Sequence, residues 1–317
     1  MPSEPKDAYT IDDLRDWENA TGDLDPPARL AVFGDPVIHS RSPQMHNPAL
    51  AEGGKNCQYV RLHIGTEDLR EALNLLKEKN FIGTNVTIPH KGEVFAAVDD
   101  MTEVARLTHS VNTVLVDDGQ LIGHNTDAPG LEQAIREEFS VDLTDLRVMV
   151  LGAGGGAGRA ACIQAAMDRS ERLVLVNRTF EKANALKKEI EPMYAKSERL
   201  LGPVDRLAVI PHEVKYLERE LKHIDLIINA TSLGMKVSDP VLIPAHLLQP
   251  HHLIFDMVYA PPQTRLMRDA VKAGARAANG LNMLLWQGAH SYEFWFNEEA
   301  PVEAMRKGLK ESFNNAK

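Results

Sequence analysis

Cysteine is nearly absent from this chain. There are two among 317 residues, Cys57 and Cys162, far apart and without CxxC spacing, which excludes a disulfide-built scaffold and thiolate zinc motifs. They read as reduced, buried thiols. Long apolar runs are missing too: no window reaches the ~18 consecutive apolar residues of a membrane span. The opening MPSEPKDAYTIDD is acidic and lacks the apolar core of a secretory signal, so a cytoplasmic protein is expected. Positive charge is in deficit, with 35 Lys and Arg against 45 Asp and Glu and a net charge of −10. With no basic stripe to offset it, that balance excludes a general nucleic-acid binder. His39 and His46 match no metal-ligand spacing and read as structural, so no metal is expected. His246, His251 and His252 lie in a Pro-flanked loop segment and read as surface residues.

What is present is an ordinary globular composition, 44% hydrophobic, and a length that allows about two domains of roughly 150 residues. The most informative stretch is RVMVLGAGGGAGRAACIQAA, from Arg147 to Ala166. It reads as a buried strand, a glycine turn and a helix of small residues. A turn without Cβ atoms lets a pyrophosphate approach the main chain at the helix N-terminus, where unpaired N–H groups and the helix dipole favour an anion. Gly152, Gly154 and Ala157 fit G-x-G-x-x-A; a loop one residue longer ends on Gly158 instead. The next strand, Leu173 to Val176, lacks the terminal acid that holds an NAD ribose. Asn177 occupies that place with Arg178 and Thr179 beyond it, which suits a 2′-phosphate and points to NADP.

The rest of the chain alternates strands and helices. Residues 1–28 read as a polar appendage that either packs on the first domain or stays mobile; Thr10 can cap a short helix through Trp17. They carry no chemical motif and are expected to be dispensable for catalysis. A strand RLAVFG from Arg29 leads to Ser40 and Ser42, just before Pro43 at the start of a helix through Ala51. Ser42 reads as its N-cap, and the paired hydroxyls also suit a carboxylate. A strand at Gln58 to Ile64, an amphipathic helix from Thr66 to Lys79 and a buried strand at Gly83 to Thr87 imply a first parallel α/β layer. Lys91 follows that strand end, where α/β folds place ligands, although by position alone it reads as a surface charge. A hairpin turns at Asp117-Asp118-Gly119, and Asn112, Asn125 and Asp127 bunch at its ends. A helix then runs from Thr126 through Phe139. Beyond the glycine loop, strands at Leu207 to Ile210, Leu226 to Asn229 and Leu253 to Asp256 alternate with helices as a second parallel sheet. A helix at Gln263 to Ala273 stops before Gly274, and the tail from Met283 holds two more.

The motifs HSRSPQMHN at 39–47, NVTIPHK at 85–91, VNT at 111–113, NTD at 125–127, NRT at 177–179, NATSLGM at 229–235 and MLLWQGAHSYEFW at 283–295 occur together and in order. On them the chain resembles the shikimate dehydrogenase family from Arg29 to Trp295. The resemblance implies two α/β domains: an N-terminal substrate-binding domain and a C-terminal Rossmann-like NADP-binding domain, with C-terminal helices returning to the first. The expected divisions are an extension at 1–28, the substrate domain at 29–126, the NADP domain at 127–280 and the returning helices at 281–317. The implied reaction is the reversible NADPH-dependent reduction of 3-dehydroshikimate to shikimate by a cytoplasmic enzyme, monomer or homodimer, of chorismate and aromatic amino acid biosynthesis. A quinate/shikimate dehydrogenase preferring NAD and a non-catalytic paralogue are the alternatives.

Carried over residue by residue, the resemblance implies Lys91 and Asp127 as the catalytic pair and Ser40 and Ser42 as the carboxylate site. Thr87, Asn112 and Gln287 are implied for ring hydroxyls, with Tyr259 in the cleft. The loop of Gly152, Ala153, Gly154, Gly155, Gly156 and Ala157 is implied for the pyrophosphate. Asn177, Arg178, Thr179 and Lys182 are implied for the adenosine phosphate, and Met235, Gly280 and Met283 for the nicotinamide end. Three positions depart from the family pattern. GAGGGAGRA carries one extra glycine, and Lys182 replaces a common arginine, keeping the charge but losing the planar fork. His109 stands in place of a glycine and is expected to crowd the loop bearing Asn112.

Overall fold

A computed structural model describes residues 6–195 and 205–314. The chain divides into two compact units, the first taking it up to Thr126 and again from Leu285, the second running Asp127–Leu284.

In the first unit, β1 (Tyr9–Thr10) is followed by α1 (Ile11–Arg15) and α2 (Trp17–Thr21). Thr10 caps α1 in a reciprocal box with Asp13, and a second short helix starts at Trp17 where one was expected to end. Then come β2 (Ala28–Gly34), α3 (Ser42–Glu52), β3 (Gln58–His63), α4 (Leu69–Glu78), β4 (Gly83–Val86), α5 (Lys91–Phe95), β5 (Asp100–Met101), α6 (Glu103–Thr108) and the hairpin β6 (Thr113–Asp117) and β7 (Gln120–His124). The sheet order is β1-β3-β2-β4-β6-β7-β5. Its β1 to β4 half is parallel, as the strand-helix-strand pattern predicts. The hairpin inserts antiparallel pairs, making the sheet mixed. Asp118 and Gly119 both take positive φ, 45° and 76°, the two-residue turn that a D-G pair favours.

The N-terminal segment belongs to this unit. Tyr9 pairs with Leu62 across the sheet edge. Tyr9, Leu14 and Trp17 are buried in the same core as Phe33, Leu62, Leu76 and Phe81. Trp17 lies between Tyr9 and Phe81, with ring centroids 5.2 Å from each. Three large side chains at irregular spacing gave no periodic signal, so the segment read as an appendage.

The second unit comprises α7 (Asp127–Phe139), β8 (Arg147–Leu151), α8 (Gly156–Met167), β9 (Arg172–Asn177), α9 (Phe180–Ala195), β10 (Leu207–Pro211), α10 (Val214–Glu220), β11 (Leu226–Asn229), β12 (Leu253–Asp256), α11 (Arg265–Lys272) and β13 (Arg276–Asn279). Its six strands are all parallel, in the order β10-β9-β8-β11-β12-β13. Numbered within the unit this is 3-2-1-4-5-6, the doubly wound dinucleotide-binding order. Chain order reverses between β8 and β11, and ligands of such sheets bind outside the strand ends there. The α12 helix (Leu281–Phe296) starts in this unit and continues into the first, where α13 (Val302–Asn314) follows. In the first unit Trp295 donates to the Val114 carbonyl at 3.0 Å. Gly288 leaves room for Met45, whose terminal carbon is 2.2 Å from where a Cβ would stand.

Two sequence expectations need correction. His252 is fully buried, not on the surface. Its ring bonds the Leu221 carbonyl at 2.9 Å and accepts from the Gln249 amide at 3.1 Å, because the turn before β12 folds inward over a 3₁₀ turn. Ser42 is not an N-cap: it is the first helical residue of α3, preceded by Arg41. Both cysteines are buried, and burial pushes the Cys57 thiol up to about 11. Among the described residues no helix is long and apolar enough to cross a membrane.

Candidate active site

In the first unit, the loop after β2 delivers Ser40 and Ser42 to the start of α3. Ser40 Oγ accepts from the Ser42 amide at 3.3 Å and lies 3.1 Å from Ser42 Oγ. Asn47, one turn along, exchanges two hydrogen bonds with the main chain of Tyr59, at 3.0 and 2.7 Å, and locks α3 onto β3. Arg61 grips the Ser40 carbonyl with two donors, at 2.9 and 2.7 Å. His46 is buried, stacked on Tyr59 at 4.5 Å, and held neutral by burial, which pushes it down to about 3.

Beneath these residues runs a buried polar network. Tyr59 bonds the side chain of Ser42 and donates to Asn85 Oδ1 at 2.8 Å; burial raises its phenol well above the usual range. Asn85 in turn donates to Thr113 Oγ1 and Ser291 Oγ, at 3.0 and 2.8 Å. The Asn112 carboxamide oxygen accepts from the Thr126 amide at 2.8 Å, and its nitrogen donates to Thr126 Oγ1 at 3.0 Å, fixing which end points where. Ser291 reaches back to the Gln287 carbonyl at 2.9 Å, one turn earlier on α12. Lys91 opens α5, and its carbonyl accepts from Val111, the neighbour of Asn112, at 3.2 Å. Thr87 follows β4 against Gly34, where a Cβ would stand 2.6 Å from its methyl. Ser42, Tyr59, Asn85, Asn112, Thr113, Thr126 and Ser291 thus form one hydrogen-bonded floor in the first unit, which Ser40 joins through Ser42 and Gln287 through its main-chain carbonyl; Lys91 adjoins it through its carbonyl bond to Val111. Asp127 directly follows Thr126 and is the first residue of α7, so it belongs to the second unit.

His109 does not crowd Asn112. It caps α6 in the left-handed conformation, at φ 49°, which explains a glycine as the alternative there. Its exposed ring packs on Phe95 at 5.5 Å.

In the second unit, the glycine turn follows β8. Gly152 has φ +88° and sits against Thr231 and Ala230; Gly155 is the N-cap, and α8 begins at Gly156. The choice between Ala157 and Gly158 as the closing residue is resolved by contact: a Cβ on Gly158 would lie 2.1 Å from the Gly152 carbonyl oxygen. Gly158 is thus the residue that lets helix and turn touch, and the loop is one residue longer than G-x-G-x-x-A. Gly154 abuts Asn177 and Lys182, while nothing lies within 4 Å of a Cβ on Gly156. Ala153, Gly154, Gly155, Gly156, Arg159 and Lys182 line a recess of about 270 Å³. Asn177 ends β9 and donates to the Thr179 carbonyl at 2.9 Å, shaping a turn from which Arg178, Thr179 and Lys182 are exposed.

Sequence reasoning missed the polar support at the ends of β11 and β12. Asn229 donates to Asp256 Oδ1 at 2.9 Å and accepts from Thr231, while Thr264 donates to Asp256 Oδ2 at 2.6 Å. Burial holds the Asp256 carboxyl above its usual range. The pair anchors the NATSLGM loop, which bears the exposed Met235. Tyr259 follows β12, half-exposed. Gly280 closes over Met257, whose carbonyl would be 2.1 Å from a Cβ, and Met283 lies on the first turn of α12. The signal for this group was the motif itself, since Asp256 and Thr264 are eight residues apart and meet only in the fold.

Residues 32–114 match the shikimate dehydrogenase substrate-binding domain, and residues 280–310 match the shikimate 5′-dehydrogenase C-terminal domain. A shikimate dehydrogenase (NADP(+)) of Methanopyrus kandleri is 37% identical over 284 residues, covering 89% of this chain and 94% of that protein. The chain belongs to the shikimate dehydrogenase family. Among solved structures of the family, the Listeria monocytogenes shikimate 5-dehydrogenase in complex with shikimate and NAD has a TM-score of 0.80 at 32% identity, covering 89% of this chain and 96% of that one. The Thermus thermophilus enzyme in complex with NADP(H) and shikimate has a TM-score of 0.77 at 32% identity, covering 90% and 99%. These alignments take in both units.

Proposed function

We propose that the chain is an NADP-dependent shikimate dehydrogenase that reversibly reduces 3-dehydroshikimate to shikimate in the cytoplasm, serving chorismate and aromatic amino acid biosynthesis. The observation that carries this reading is the union of two sites in one family fold: paired serines over a buried polar floor with Lys91, and a doubly wound sheet whose glycine turn leads to Arg178. The first unit acts as the substrate domain and the second as the NADP domain.

The second unit fits the cofactor. Its turn leaves the space at Gly156 open, and Arg178 offers charge-assisted hydrogen bonds to a 2′-phosphate where no acid stands at the end of β9. The amides from Ala153 to Ala157 serve the pyrophosphate, Asn177, Thr179 and Lys182 the adenosine end, and Met235, Gly280 and Met283 the nicotinamide end. NADPH, when bound, supplies the hydride.

The chain's own residues handle binding and the proton. Ser40 and Ser42 bind the carboxylate; Thr87, Asn112, Tyr259 and Gln287 orient the ring. Lys91 donates a proton to the substrate oxygen in reduction and takes one from the hydroxyl in oxidation, and Asp127 orients Lys91 and the hydroxyl. Because this interaction is strongest as charge develops, Lys91→Ala should lower kcat by roughly 10²-fold or more with a much smaller change in KM. Near-normal kcat with a raised KM would make Lys91 a binding residue and defeat the mechanism.

A further inference from the structure

The geometry points to Arg61 as a positioning residue for the substrate carboxylate, held in place by the N-terminal segment. The inference rests on the assignment of Ser40 and Ser42 to that carboxylate. Arg61 lies on β3 and spends a rigid guanidinium fork on four contacts. Two reach the Ser40 carbonyl at 2.9 and 2.7 Å, one reaches Gln44 Oε1 at 2.9 Å, and one reaches the Asp7 carbonyl at 3.1 Å. All three acceptors are neutral. The Asp7 carboxylate and the Arg41 guanidinium act on Arg61 as nearby charges of opposite and like sign, while the hydrogen bonds to neutral acceptors hold the guanidinium beside the loop that presents the two serine hydroxyls.

The contacts also fix geometry. Besides Arg61, Ser40 is held by its amide bond to the Val37 carbonyl at 2.9 Å and by its hydroxyl contacts to Ser42. Arg61 restrains the carbonyl side and so sets the direction of the hydroxyl pair. Asp7 reaches Arg61 because β1 pairs with β3 in a register that sets Tyr9 opposite Leu62, the residue after Arg61. The segment before β2 thereby connects to the substrate site, although it holds none of the family motifs. Arg41, packed over the Phe313 ring at 5.4 Å, adds a second cation next to Ser42.

The test compares shikimate with its methyl ester, which lacks the carboxylate charge, in steady-state oxidation by full-length variants. Arg61→Met should raise KM for shikimate about tenfold or more, leave that for the ester within about threefold, and change kcat little, since the lost interaction is ground-state binding. Arg61→Lys, which keeps the charge but not the fork, should recover part of the loss. A chain starting at Ala8 removes the Asp7 carbonyl and keeps Tyr9 and Trp17; relative to Asp7→Asn, which removes the carboxylate but keeps the carbonyl, it should raise KM for shikimate about two- to tenfold with the same selectivity, the worth of one net hydrogen bond holding Arg61 in place. It carries the test if Arg61→Met fails to fold. Ser42→Ala, run alongside, separates the two assignments. Selective loss in Ser42→Ala with none in the Arg61 variants overturns the role of Arg61 alone. Equal loss for acid and ester in Ser42→Ala overturns the carboxylate assignment, and this inference with it.

Discussion

Gly158→Ala tests the lengthened glycine turn most sharply. A Cβ at this position would sit 2.1 Å from the Gly152 carbonyl oxygen, 2.7 Å from its carbon and 2.9 Å from the Ala153 Cα, all of them main-chain atoms. The turn has no room to retreat, because Gly152 is itself backed by Thr231, 2.7 Å from where its own Cβ would be. Overpacking typically costs about 1–3 kcal/mol, and a backbone obstacle belongs at the upper end. Alanine returns about 1 kcal/mol of helix propensity, so the net loss should be about 1–2 kcal/mol. For a unit of this size that lowers Tm by roughly 2–8 °C. The turn must also shift by about an ångström, enough to raise KM for NADP roughly ten- to a hundredfold. Gly156→Ala is the control: nothing lies within 4 Å of its Cβ, so stability should hold or rise. Differential scanning fluorimetry on both variants and NADP titration on Gly158→Ala provide the readout. Unchanged Tm and KM in Gly158→Ala, or an equal fall in Tm in the two, would refute the assignment of Gly158 as the closing glycine.

Four further outcomes are expected. Trp17→Ala should cost about 3–5 kcal/mol, because it empties a buried aromatic site between Tyr9 and Phe81; residues 1–28 are expected from sequence to be dispensable for catalysis, but a chain starting at Arg29 should fail to fold normally, and a cooperative wild-type-like urea transition in either variant would contradict the packing. His46 is held down to about 3 by burial, with neither ring nitrogen hydrogen-bonded. Below pH about 6.5 the unfolded chain takes up a proton that the native state refuses, so stability falls as pH drops, by about 1.4 kcal/mol per unit until pH nears 3; His46→Leu should remove roughly 2 kcal/mol of the loss between pH 7 and 5, and identical pH slopes in urea melts would exclude it. Arg178→Ala should raise KM for NADP at least about tenfold while sparing NAD, since only the former carries the 2′-phosphate; equal harm to both in cofactor kinetics would remove Arg178 from that role.

Local patterns made much of this molecule legible. The strand-turn-helix at 147–166, the D-G hairpin and the buried strand at 83–86 are each dictated within a few residues, and the structure places them as the sequence predicts. What was hidden depends on contacts between distant positions. Tyr9, Leu14 and Trp17 are buried in one core with Phe33, Leu62, Leu76 and Phe81, residues of later strands and helices, so their own short segment does not mark them as core. Gly158 and Ala157 were indistinguishable by spacing; only the distance to Gly152 separates them. Arg61 and Asp256 are ordinary charged residues by sequence, and their bonds to Ser40 and Asn229 exist only once the sheets are built. His252 misled because a loop rich in proline and histidine usually faces water, whereas here two main-chain partners satisfy a neutral ring inside.

The most direct test of the account is steady-state turnover of the purified chain with four combinations, shikimate or quinate with NADP or NAD, followed by the absorbance of the reduced nicotinamide. We expect kcat/KM to be highest for shikimate with NADP, exceeding that with NAD by at least about tenfold, the worth of one charge-assisted contact to the 2′-phosphate. Equal use of the two cofactors, a preference for quinate with NAD, or no turnover in any combination would contradict it.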